Sequence, residues 1–252
     1  MKKSGKSTFI KKIFKECETY SSYANSTLGL NLYKIKGIDN FAIIDSPGDT
    51  ENNKYLVNFA TKGYKYSKIM FYILSEESTL DANSLRNNKK LEEIIEMRIK
   101  YKSKLIILLT HSDTYCDKIK KENNWKNLCR DSLNNNKSDL LNHMNQLVIE
   151  KYKSNFIMNE NDIFHISLDD YIKISDEEIK NNFTEIQKNL YEQADERFKS
   201  MLLEAIKEEQ KKNQNEAKDF TIKELNVLDK NKLIEKLKEI LPPQYHNIFN
   251  SN

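Results

Sequence analysis

The chain has 252 residues, 38% of them hydrophobic and 31% charged, with 41 basic against 38 acidic side chains for a net charge of +3. That length and apolar content suit one globular α/β domain with an appendage and exclude a disordered or fibrous chain. The near balance of charge gives no electrostatic reason for a nucleic-acid partner. The longest apolar runs, 69–74 and 105–109, are too short to span a bilayer.

Three cysteines, Cys17, Cys116 and Cys129, are an odd number at scattered spacing, so no disulfide framework is expected. With no signal-peptide core near the start, the expected location is a reducing cytoplasm. His111, Cys116, Cys129 and His143 match no common zinc spacing.

In chain order, 5–17 reads as a helix with Phe9, Ile10, Ile13 and Phe14 on one side. Two extended stretches, 30–36 and 41–44, flank Gly37-Ile38-Asp39-Asn40, which suits a hairpin turn. Asp45-Ser46-Pro47-Gly48 then forms a loop, 52–61 a helix, and 69–74 a buried strand. Residues 80–101 follow as a helix, 104–109 as a second buried strand and 125–153 as mostly helix, interrupted at Asn134-Asn135-Asn136. Residues 163–166 are the last strand. Short apolar strands alternating with helices predict a mostly parallel sheet covered on both faces, a three-layer α/β/α fold.

From residue 176, Ile179, Phe183, Ile186, Leu190, Phe198, Met201, Leu202 and Ile206 recur at three- and four-residue steps, predicting one long amphipathic helix. It either packs back on its own domain or serves dimerisation or partner docking. A polar linker over 208–219 and a small helical tail broken by Pro242-Pro243 complete the chain. The domain reading is therefore 1–172, then a helix over 173–207, then a linker and tail over 208–252.

The chemistry begins with Ser4-Gly5-Lys6-Ser7-Thr8 ahead of Phe9-Ile10. A phosphate loop needs a glycine where amides crowd a phosphate, a lysine for the β- and γ-phosphates and a hydroxyl for magnesium. Gly5, Lys6 and Ser7 fill those roles in order, and the helix dipole starting there favours an anion. A plain helix start could carry the same letters. The apolar strand 41–44 supplies a second element by delivering Asp45-Ser46-Pro47-Gly48 to its carboxyl end, where ligands sit in this architecture. Asp45 is placed to hold magnesium through water, and the Gly48 amide to meet the γ-phosphate. The same tetrapeptide is also a good turn.

Directly after 105–109 comes Thr110-His111-Ser112-Asp113. At this point the chain resembles the TRAFAC class of P-loop GTPases, whose base-reading loop is Asn/Thr-Lys-x-Asp. The resemblance implies that Asp113 accepts hydrogen bonds from the N1 and N2 donors of guanine, which adenine lacks. Thr110 matches the first position, and His111 replaces the lysine whose stem lies along the base; an imidazole could stack there instead. It further implies that Thr27, in Ser26-Thr27, closes on magnesium and the γ-phosphate, and that Ser167, before Leu168, stands in the last base-contacting loop. The implied ligands are GTP or GDP with Mg2+. Asp-Ser-Pro-Gly and Ser-Gly-Lys-Ser-Thr-Phe-Ile look most like the septin, GIMAP and Era-like branches.

Two departures shape the expectation. Met1 stands where the phosphate loop should already be under way, so either the true start lies upstream and this is a fragment or the first, central strand has been lost; the chain as given is expected to have weakened stability and nucleotide affinity. Asp49 follows Gly48 where Ras-like enzymes place a water-orienting glutamine. The leading reading is a slow Mg-dependent GTPase, activated by pairing as a homodimer through the G domain or the long helix, with Lys6 and Thr27 catalytic. The alternative is a scaffold module with weak or no turnover. An ATP-using P-loop enzyme would need 110–113 to be an accident.

Overall fold

The computed structural model describes residues 6–15, 17–22, 31–38, 41–45, 63–76, 89–168, 176–181 and 183–249. Helix α1 (Lys6–Ile13) carries Lys11 and Lys12 in its last turn, where cations complement the helix dipole. The chain then leaves the helix: Phe14 bridges Phe249, and the Lys15 amide donates to the Ile248 carbonyl at 2.9 Å. Strand β1 (Cys17–Ser22) follows, where the sequence suggested a helix end. It pairs antiparallel with β2 (Asn31–Ile35), which pairs antiparallel with β3 (Ala42–Asp45) in the register Asn31↔Asp45. Gly37, at φ 77°, makes the turn expected between β2 and β3.

Strands β4 (Ile69–Ser75), β5 (Lys104–Thr110) and β6 (Ile163–His165) form a separate parallel sheet in that order. The arrangement is α/β, and the described strands form two ladders rather than one. Among the described residues no ladder joins β3 to β4.

Period-two alternation gives the parallel sheet two apolar faces. Met70, Tyr72, Leu74, Leu105, Ile107 and Leu109 pack on α2 (Lys89–Tyr101) and α4 (Trp125–Gln146) through Leu91, Ile95, Leu140 and Met144. Ile73, Ile106 and Leu108 join the other cluster with Phe9, Ile10 and Ile13 of α1 and Leu233, Ile234 and Leu237 of α8 (Lys230–Ile240). Both faces of β5 are covered, which is why it reads as an unbroken apolar run. Truncating Ile106 or Ile107 to alanine is expected to cost about 2–5 kcal/mol, whichever layer is opened.

Helix α4 runs unbroken through Asn134-Asn135-Asn136, where an interruption was expected. Between β5 and α4, the short helix α3 (Ser112–Ile119) had no counterpart in the periodicity. The expected absence of a disulfide is also corrected. Cys116 of α3 and Cys129 of α4 are bonded, with Cα atoms 5.5 Å apart, inside an apolar cluster with Leu133, Ala217, Phe220 and Val227. The packing of α3 on α4 brings together two cysteines that spacing alone leaves unrelated.

The single helix expected over 176–206 is three: α5 (Asp176–Asn181), α6 (Glu185–Gln193) and α7 (Glu196–Glu224). Two caps cut it. Thr184 and Gln187 form a capping box, and the Asp195 carboxylate accepts from the Phe198 amide at 2.8 Å. Helix α7 runs straight through 208–219, so the expected linker is helix, held by Ala217 and Phe220 against α3 and α4. No helix is long and apolar enough to cross a membrane among the described residues.

Candidate nucleotide site

The expected site residues fall into two groups. On the phosphate side, Lys6 opens the described part of α1 and Asp45 ends β3. Burial pushes the Asp45 carboxyl above its ordinary range, while the Lys6 charge pulls it back down. Lys6 and Asp45 therefore act on one another across the gap between helix and strand. Ser7 lies in the first turn of α1, and Thr8 beside it is half-buried. Ser4, Gly5, Thr27 and Gly48 lie outside the described residues, as do the helix expected over 52–61 and Asp49.

The other group sits at the carboxyl ends of β5 and β6, the rim at which open α/β sheets bind ligands. Thr110 ends β5, and its hydroxyl donates to the Leu74 carbonyl at 3.0 Å, so this side chain fastens β5 to β4. His111 takes the left-handed conformation at φ 62° and ψ 29°, turning the chain sharply from strand to helix. Asp113 then falls in the first turn of α3, where the helix dipole stabilises a carboxylate. Only 8% exposed, Asp113 has an Oδ1 with no hydrogen-bond partner.

Ser167 follows β6 and is 3% exposed, and its Oγ likewise has no partner. Its amide donates to the Leu228 carbonyl at 3.0 Å, while the Leu228 amide donates to the His165 carbonyl at 2.8 Å. The segment after α7 thus continues the sheet beyond β6 and fixes this loop. A buried polar atom left unpaired costs about 1–3 kcal/mol. Two of them, on neighbouring loops at the ligand-binding rim, are what a base edge would satisfy.

The two groups are linked through α1, whose Lys12 ammonium donates to the Leu168 carbonyl. Beneath Asp113 and Ser167 lies a carboxylate that sequence reasoning missed, Glu76, the residue directly after β4. Fully buried, it accepts from Ser112 Oγ at 3.0 Å and Asn136 Nδ2 at 3.2 Å, and it hydrogen-bonds His165 Nδ1. An acid directly after an apolar strand, at the ligand rim, was the available signal.

Residues 1–111 match a family model described as 50S ribosome-binding GTPase. This match supports a P-loop GTPase G domain, and it runs through α1 and β3 to the end of β5. No curated protein and no solved structure matches the chain.

The side chains present fit a guanine nucleotide with magnesium. Asp113 and Ser167 offer unpaired buried polar atoms, Lys6 a cation, and Asp45 a carboxylate whose burial favours a bound cation.

Proposed function

We propose that the chain binds a guanine nucleotide with magnesium and slowly hydrolyses GTP to GDP and phosphate. The observation that carries this reading is the pair of buried, unpaired acceptor and hydroxyl atoms on Asp113 and Ser167. Asp113 accepts from the N1 and N2 donors of guanine, and Ser167 contacts the base from the next loop. Lys6 neutralises charge on the β- and γ-phosphates; with Thr27 it serves the chemical step. Ser7, Thr27 and Asp45 hold the metal, which supplies charge neutralisation on the phosphates when bound. Gly5 and Gly48 present backbone amides, and Ser4 and Thr8 flank the loop. Thr110 and His111 shape the turn that carries Asp113.

Within the GTPases, the motif style around Lys6 and Asp45 supports a septin, GIMAP or Era-like branch. Turnover that depends on homodimerisation is part of the reading. The cytoplasm, where GTP is supplied, is the proposed location, and the Cys116–Cys129 bond is the observation that weighs against it. Helix α6 and the start of α7 favour the second reading, a scaffold module: Ile186, Leu190, Phe198 and Met201 are all exposed along them.

Phosphate release from Mg–GTP, measured across a range of protein concentrations, tests the pair. Specific activity that rises with concentration supports the dimer-activated enzyme. No release at any concentration, with guanine nucleotide still bound, supports the module.

A further inference from the structure

Glu76, Ser112, Asn136 and His165 come from four different elements, the ends of β4 and β6, the start of α3 and the middle of α4. None is needed to touch a nucleotide. Yet the Glu76 carboxylate is fully buried, a placement that is costly unless both oxygens are satisfied. Oε1 receives Ser112 Oγ and His165 Nδ1, while Oε2 receives Asn136 Nδ2. One oxygen atom therefore holds the residue before Asp113 and the residue two before Ser167. The parallel register reinforces this, with Leu109 opposite His165 and the Ile166 amide donating to the Leu109 carbonyl at 2.8 Å.

We propose that Glu76 is a positioning residue for base recognition: it clamps the Asp113 and Ser167 loops to one another, so that their unpaired polar atoms meet a single guanine edge. The inference rests on the proposed guanine site and adds the element that makes it specific. Glu76 acts through Ser112 and His165, not on the ligand. A buried carboxylate suits the role because it accepts from all three donors at once, whereas an amide presents one acceptor and one donor.

The test measures affinities for GDP and for inosine diphosphate, which lacks the exocyclic amine. Glu76→Leu removes both acceptor oxygens, so GDP affinity should fall about tenfold, as expected for lost buried hydrogen bonds. Inosine diphosphate affinity should change much less, so the GDP preference shrinks. In an Asp113→Asn background, Glu76→Leu should have little further effect on the preference.

If Glu76→Leu does not fold, Ser112→Ala removes one donor and leaves the bonds from His165 and Asn136 in place. It should shift the preference in the same direction, by about threefold, the effect of a weaker single bond. Wild-type protein that binds GDP, with variants that keep the wild-type preference, overturns the clamp and leaves the guanine site standing. Wild-type protein that binds no guanine nucleotide overturns the site and the clamp together.

Discussion

The two halves of the candidate site are built in different ways. On the base side, β4, β5 and β6 are hydrogen-bonded neighbours, and Glu76, Thr110 and Leu228 tie their ends together. On the phosphate side, Lys6 and Asp45 belong to a helix and to a strand of the other sheet, and they meet through charge. A base must be told from similar bases by hydrogen-bond geometry, which needs fixed donors and acceptors. A phosphate group is held mainly by charge and backbone amides.

Substitutions should separate the halves, and Lys6→Ala is the most damaging. Losing its charge-assisted bonds should weaken guanine and adenine nucleotides alike by about a hundredfold, read by calorimetric titration. A base-selective loss would place Lys6 on the wrong side. Asp113→Asn should cost guanine affinity about tenfold to a hundredfold and erase the preference over adenine, while inorganic pyrophosphate competes as before. An intact guanine preference would remove Asp113 from the base loop.

Asp45→Asn probes the electrostatic side. Because burial raises the Asp45 pKa, its contribution to folding is full below the ordinary value of 3.8 and is lost as pH rises through the raised value. The ligand-free variant should therefore be more stable than wild type at neutral pH, with the gap closing in acid, as denaturant titrations at the two pH values would show. The same variant should lose the magnesium dependence of nucleotide binding. In wild type, that dependence should weaken as pH falls through the raised pKa. The smallest effect is expected from Ser167→Ala, about threefold to tenfold in guanine affinity, with no loss of ligand-free stability because its hydroxyl has no partner to lose.

What the sequence revealed follows the range of the interactions involved. β4, β5 and β6 were legible because strands covered on both faces must be apolar at every position, and the motifs at their ends followed. The caps at Thr184 and Asp195 were also present in the letters, but a continuous stripe of apolar residues outweighed them. Glu76 could not be paired in advance: its partners lie 36, 60 and 89 residues away, and only the folded sheet joins them. The same holds for Cys116 with Cys129 and for Leu228, whose bonds to His165 and Ser167 tie the tail to the end of β6. Asn136 looked like a helix breaker because its buried hydrogen bond is invisible in sequence.

The account depends on both halves serving one molecule, and a structure solved with magnesium and GDP tests that most directly. It predicts a single nucleotide with its base edge on Asp113 and Ser167 and its phosphates at Lys6, with the metal on the Asp45 side. A nucleotide that reaches Lys6 while its base lies away from Asp113 would contradict it.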